Sequence, residues 1–204
     1  MLEVKNLVFA YADQERPWSF HFSAKPGQCI AIHGASGSGK STLMNLLAGF
    51  LEPKSGDILW QDKSLRHHAP WQRPMTSVFQ EHNLFEHLSV DANIGLGIHP
   101  GLKLTARDQQ AIDKGLQSVG LDGFGKRLPG DLSGGQRQRV ALLRAILRQQ
   151  PVMLLDEPLT GLDSDARDFL RQLLLDQKAQ GTLIVLASHD EEDRRILADS
   201  IYKL

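Results

Sequence analysis

Short, unbroken apolar runs recur along the chain and read as buried strands. Cys29-Ile30-Ala31-Ile32, ending at His33, is one; Val152 to Leu155 and the stretch Thr182 to Ser188 are others. They are strand-length and carry β-branched residues. Elsewhere the period changes. Leu43, Leu46, Leu47 and Phe50 stand at i, i+3, i+4 and i+7, as on the buried face of a helix, and Val140, Leu143 and Leu147 line one face of another. A third stripe, Ile112, Leu116 and Val119, opens on Thr105-Ala106-Arg107-Asp108, a capping-box-like start, and closes at Gly120, where a C-cap belongs. From Leu84 to about Gln150 the pattern is helical. These periods predict an α/β chain with a core lobe over about 1–83 and 150–204 and a helical subdomain over about 84–149. No apolar run approaches the roughly 18 residues that span a bilayer, so membrane business is expected to run through a partner.

Composition narrows the function classes. A chain of 204 residues, 41% hydrophobic and 23% charged, suffices for one sizeable core or one core with a small appendage. With 23 basic and 24 acidic residues the net charge is −1, which gives no general pull toward nucleic acid or anionic lipid. The opening Met1-Leu2-Glu3-Val4-Lys5 lacks the basic patch and apolar region of a secretory signal. Cys29, the single cysteine, excludes an internal disulfide and suits a reducing cytosol.

The glycines are clustered. Gly34, Gly37 and Gly39 fall between the strand ending at His33 and the helix carrying Leu43, so that Gly34-Ala35-Ser36-Gly37-Ser38-Gly39-Lys40-Ser41, followed by Thr42, fits the phosphate-loop pattern G-x-x-x-x-G-K-[ST]. Residues without Cβ let backbone N–H groups converge on a phosphate, and the helix start adds unpaired donors. Lys40 is expected to reach the β- and γ-phosphates, and Ser41 to offer its hydroxyl to Mg²⁺. A metal-holding acid is expected on a neighbouring strand, and Val152 to Leu155 ends in Asp156-Glu157. Asp156 suits the metal, while Glu157 is placed to polarise an attacking water. Later glycines culminate in Leu132-Ser133-Gly134-Gly135-Gln136, where Ser133 is a natural N-cap and creates a second anion-binding helix start.

That pentapeptide is the signature of the ATP-binding-cassette family, which the chain resembles from Leu2 to about Leu204. The resemblance extends to Gln80 after Thr76-Ser77-Val78-Phe79, to Gly161-Leu162-Asp163, and to His189 after the strand ending at Ser188. Tyr11 falls where the family stacks an aromatic on adenine. It implies a P-loop NTPase fold: a mostly parallel sheet, an N-terminal antiparallel β layer and a helical insert. It also implies an ATPase working as a homodimer or paired cassette, with ATP between the P-loop of one copy and the Ser133 segment of the other. Glu157 is then the general base, His189 contacts the γ-phosphate, and Gln80 senses metal and transport partner. By the same resemblance Leu84, Phe85 and Leu88 belong to a groove that receives a cytoplasmic helix of a transmembrane permease subunit.

A narrower likeness joins the stretches Gln80 to Val90, Asn93 to Gly97, Pro100 to Leu104 and Arg127 to Asp131 to the ATPase subunits of bacterial thiamine importers. It implies a peripheral protein on the cytoplasmic face of the inner membrane, serving a periplasmic substrate-binding protein indirectly. The final Ser200-Ile201-Tyr202-Lys203-Leu204 starts a strand without the family's usual further strand and Gly turn. Three alternatives stay open: a cassette serving another importer, an exporter or lipoprotein release; a soluble nucleic-acid-associated cassette; and a non-hydrolysing nucleotide-binding scaffold. The lack of heptads and of a basic patch speaks against the second, and intact Lys40, Asp156, Glu157 and His189 speak against the third.

Overall fold

In a computed structural model, which describes residues 1–12, 16–79 and 84–204, the unbroken apolar runs become the centre of a five-stranded sheet. The chain runs through β1 (Leu2–Phe9), β2 (Trp18–Ala24), β3 (Cys29–His33), α1 (Lys40–Ala48), β4 (Ser55–Trp60), β5 (Lys63–Ser64), β6 (Met75–Val78), α2 (Val90–Ile98), α3 (Ala106–Ser118), α4 (Gly134–Leu147), β7 (Val152–Asp156), α5 (Ser164–Ala179), β8 (Leu183–Ala187), α6 (Glu191–Leu197) and β9 (Ser200–Lys203). Strands pair in the order β6-β7-β8-β3-β9, every pair parallel. A second sheet, β2-β1-β4-β5, is antiparallel. This is the P-loop NTPase α/β architecture that the resemblance implied.

Successive residues of a strand face opposite ways, and here each face has its own core. Val152, Leu154, Leu183, Val185, Ile30 and Ile32 meet α1 and the antiparallel sheet. Met153, Leu155, Ile184, Leu186 and Cys29 face α4, α5 and α6. Burial on both faces is why these strands read as continuous apolar runs rather than as alternating ones. Each fully buried Leu or Ile contributes about 1.5–3 kcal/mol. Burial also pushes the Cys29 thiol up to about 12, which makes it an inert core side chain.

The helical segment has a third core, in which Val90, Ile94, Ile112, Leu116, Val119, Val140 and Leu143 are buried together. The predicted Thr105 capping box opens α3, and Gly120 follows its end. Helix α4 serves two cores, since Ala141, Leu142 and Ala145 pack on the sheet while Val140 and Leu143 pack on α2 and α3. Helix α4 thus ties the helical segment to the sheet, as Leu84 and Leu173 also do.

Two expectations fail in detail. Phe50 is not on the buried face of α1: Gly49 adopts a left-handed conformation (φ 86) that ends the helix, and Phe50 turns outward, 59% exposed. Arg73, 4% exposed, closes that helix end by donating to the Leu46 and Leu47 carbonyls at 2.7 Å each. Nor is the chain helical from Leu84. Residues 84–89 form a turn, and α2 begins only after the Ser89 N-cap. The turn is tied down by fully buried Asn93, whose amide nitrogen donates to the Phe85, Leu88 and Ser89 carbonyls and whose oxygen accepts from Phe85 N–H.

Candidate functional site

The glycine loop joins β3 to α1 at the carboxyl end of the parallel sheet, where ligands of open α/β sheets bind. Gly39 is the residue that makes the joint possible. Its φ of 104° is in the left-handed region, and a Cβ there would lie 2.8 Å from the Trp18 indole nitrogen. No side chain caps α1, so its first-turn amides are left to an outside acceptor. The Lys40 ammonium donates to the Gly34 and Ala35 carbonyls at 2.8 and 3.0 Å, folding back over its own loop.

Strands β7 and β8, adjacent in the sheet, deliver the acids and the histidine. Asp156 ends β7 and shares the cavity wall with Ser41; burial pushes its carboxyl above the usual range, with the Ser41 hydroxyl and Lys40 opposing. Glu157 follows in a left-handed conformation (φ 52), its N–H held by the Ala187 carbonyl at 2.9 Å. Its Oε1 accepts from His189 N–H at 3.0 Å and lies 3.5 Å from His189 Nε2. Its Oε2 accepts from the Thr160 hydroxyl at 2.9 Å. A cavity of about 280 Å³ is lined by Ser36, Gly37, Gly39, Lys40, Ser41, Thr42, Asp156, Glu157, His189 and Trp18. Lys40 and the Ser41–Asp156 pair thus meet the carboxylate and imidazole at one place. Gly34, Ala35 and Ser38 form the loop behind that lining.

This constellation has known relatives. Residues 19–160 match the family model described as ABC transporter. The chain belongs to the ABC transporter family. It is 45% identical over 204 residues to the thiamine import ATP-binding protein ThiQ of Vibrio cholerae, with 98% of this chain and 84% of that protein covered. The protein of the same name from Rhizobium meliloti is 46% identical, covering 90% of this chain and 77% of that one. A dimeric post-hydrolysis structure of the ATP-binding cassette MJ0796 with ADP and Pi superimposes with a TM-score of 0.89 at 27% identity, covering 100% of this chain and 94% of that one.

The other expected site residues among those described lie apart from the cavity lining. Ser133 caps α4 as predicted: its Oγ accepts from Gln136 N–H and the Gln136 side chain returns to Ser133 N–H, at 3.3 and 2.9 Å. None of Ser133, Gly134, Gly135 or Gln136 lines the cavity; Ser133 and Gly134 face solvent. Tyr11 is 49% exposed and also outside the lining, packing edge-on against Trp18 at 5.9 Å and Phe9 at 4.9 Å. Gln80, expected at both metal and partner, lies outside the described residues. Among the described residues no group of three or more His, Cys, Asp or Glu could hold a metal ion. No described helix is long and apolar enough to cross a membrane.

Trp18 is the lining residue that sequence reasoning missed. It stands outside every motif, and only pairing of β1 with β2, Phe9 opposite Trp18, brings it over Gly39. A larger groove, about 690 Å³, is bordered by Phe50, Trp71, Phe85, Leu96, Arg144 and Arg148. Of the three residues expected at a partner groove, Phe85 lines it, whereas Leu84 packs inward against the cores.

Proposed function

We propose that this cassette is the ATP-hydrolysing subunit of an importer whose cargo is thiamine or a related small molecule. The convergence of Lys40, Ser41, Asp156, Glu157 and His189 on one cavity carries the ATP chemistry. The cargo rests on relatives named as thiamine import proteins. The cassette works as a pair on the cytoplasmic face of the inner membrane, driving permease subunits that a periplasmic substrate-binding protein supplies.

Phosphates of bound ATP lie against Gly37, Gly39 and the uncapped start of α1, where backbone donors and the helix dipole favour them. Lys40 exchanges the Gly34 and Ala35 carbonyls for phosphate oxygens. The hard oxygens of Ser41 and Asp156, side by side in the cavity lining, fit Mg²⁺, with Gln80 added by resemblance; the ion would neutralise charge on the phosphates. Glu157 accepts the proton of the attacking water, and His189, whose Nε2 lies 3.5 Å from that carboxylate, orients the water. Tyr11 is assigned to the adenine end.

The solvent-facing Ser133 segment completes the site of the second cassette. Its hydroxyl oxygen caps α4 with a lone pair, which leaves the hydroxyl proton for a phosphate oxygen across the interface. The groove bordered by Phe50, Trp71 and Phe85 receives the permease helix. Neither half-site surrounds the γ-phosphate alone, so hydrolysis requires pairing.

Reconstitution with the permease subunits in proteoliposomes tests the reading. Uptake of labelled thiamine should require ATP and be abolished by Glu157→Gln. ATP hydrolysis without thiamine uptake, with another cargo moved instead, would keep the ATPase and remove the substrate.

A further inference from the structure

The segment after Glu157 and the segment bearing His189 are joined by an ion pair that no motif contains. Arg167, in the first turn of α5, donates from one guanidinium nitrogen to Asp190 Oδ2 at 2.7 Å. Its other terminal nitrogen points to the Leu159 carbonyl at 3.4 Å. Asp190 immediately follows His189, and its second oxygen accepts from Asp193 N–H at 2.9 Å, capping α6. Both partners are partly sheltered, with side chains 25% and 35% exposed.

These contacts close a ring. Glu157 Oε1 holds His189 N–H, Asp190 holds Arg167, Arg167 reaches Leu159, and Thr160 returns to Glu157 Oε2. On its outer side, Leu162 packs on the signature helix so closely that a Cβ on Gly135 would lie 3.0 Å from it. Asp163, next along, caps α5 by accepting from Ala166 N–H. The Ser133–Gly135 end is thus in continuous contact, through residues 159–163 and Arg167, with the backbone that carries His189.

We propose that Arg167 is a positioning residue that fixes His189 relative to Glu157 through Asp190 and ties both to the signature end of the same chain. The inference rests on the proposed ATPase reading and adds to it a link between the half-site that binds a chain's own ATP and the half-site offered to the partner. Arg167 lines no part of the nucleotide cavity, so its effect falls on turnover rather than on nucleotide affinity.

The test compares wild type, Arg167→Ala, Arg167→Lys, Asp190→Asn and the double variant Arg167→Ala/Asp190→Asn in Mg-ATP hydrolysis, ATP affinity by equilibrium dialysis, and thermal midpoint. Asn retains the cap of α6 while removing the charge. Arg167→Ala should lower kcat about 10- to 100-fold, the scale of a small misplacement of a reacting group, with ATP affinity within about twofold of wild type. Lysine should restore part of the loss, and the double variant should be no worse than Arg167→Ala, since coupled residues are not additive. Unchanged kcat, a matching loss of ATP affinity, or additive losses would overturn the proposal. Should Arg167→Ala fail to fold, Asp190→Asn decides by the same kcat-against-affinity criterion. A wild-type protein that does not hydrolyse Mg-ATP would overturn the ATPase reading, and this inference with it; active wild type with unaffected variants removes only Arg167.

Discussion

Two helix starts in this chain are built to opposite plans. Helix α1 begins at a left-handed glycine with no side-chain cap, walled by Trp18 and facing a cavity shared with two acids and a histidine. Helix α4 begins at a full capping box, Ser133 with Gln136, and faces solvent. The first leaves its donors for a ligand within one chain. The second is satisfied locally and stable alone, yet has nothing of its own chain to bind. The proposed anion site, split between two copies, would use this asymmetry: one half deep and selective, the other folded while empty.

The largest effect should come at the deep half. Glu157→Gln is expected to lower turnover by on the order of 10²–10⁴, the share of a general base, with ATP binding kept; steady-state hydrolysis beside equilibrium dialysis measures both. Turnover near wild type would remove Glu157 from that role. At the open half, Ser133→Arg should abolish the ATP-dependent dimer on sizing chromatography in a Glu157→Gln background, while each monomer still binds ATP. Dimers that persist would show that the two starts do not complete each other.

Smaller effects sharpen the contrast between the two caps. Gly39→Ala places a Cβ at φ 104° against Trp18 and should cost about 1–3 kcal/mol, read as a lower urea midpoint together with weakened ATP binding. Ser133→Ala removes only a cap and should cost about 1 kcal/mol, with ATP affinity of the monomer unchanged. If the two substitutions behaved alike in ATP binding, the distinction between a ligand-directed and a self-satisfied helix start would fail.

Legibility in the sequence followed the range of the interaction. Caps, stripes and strands are local, so Thr105, Ser133, the Ile112-Leu116-Val119 stripe and the buried strands could be read directly. Phe50 misled because its periodicity continued past Gly49, whose left-handed turn ends the stripe one residue earlier. The Leu84–Ser89 turn was hidden because its organiser, Asn93, acts through hydrogen bonds to backbone, which leave no hydrophobic period. Trp18 and Arg167 were invisible for a different reason: their partners, Gly39 and Asp190, are distant in sequence and belong to different elements.

By itself the sequence determined the chemistry on offer: a phosphate loop, an Asp-Glu pair after a strand, a capped Ser-Gly-Gly helix start and a histidine after a strand. Those are properties of residue type and short spacing, which local sterics and hydrogen bonding fix. The tertiary structure decided which of them meet. Parallel pairing of β7 with β8 puts Glu157 against His189, and β3 beside β8 sets the loop over both. The Ser133 segment stays outside that cavity. Strand order is set by burial of both sheet faces across the whole chain, a long-range condition that no single motif carries.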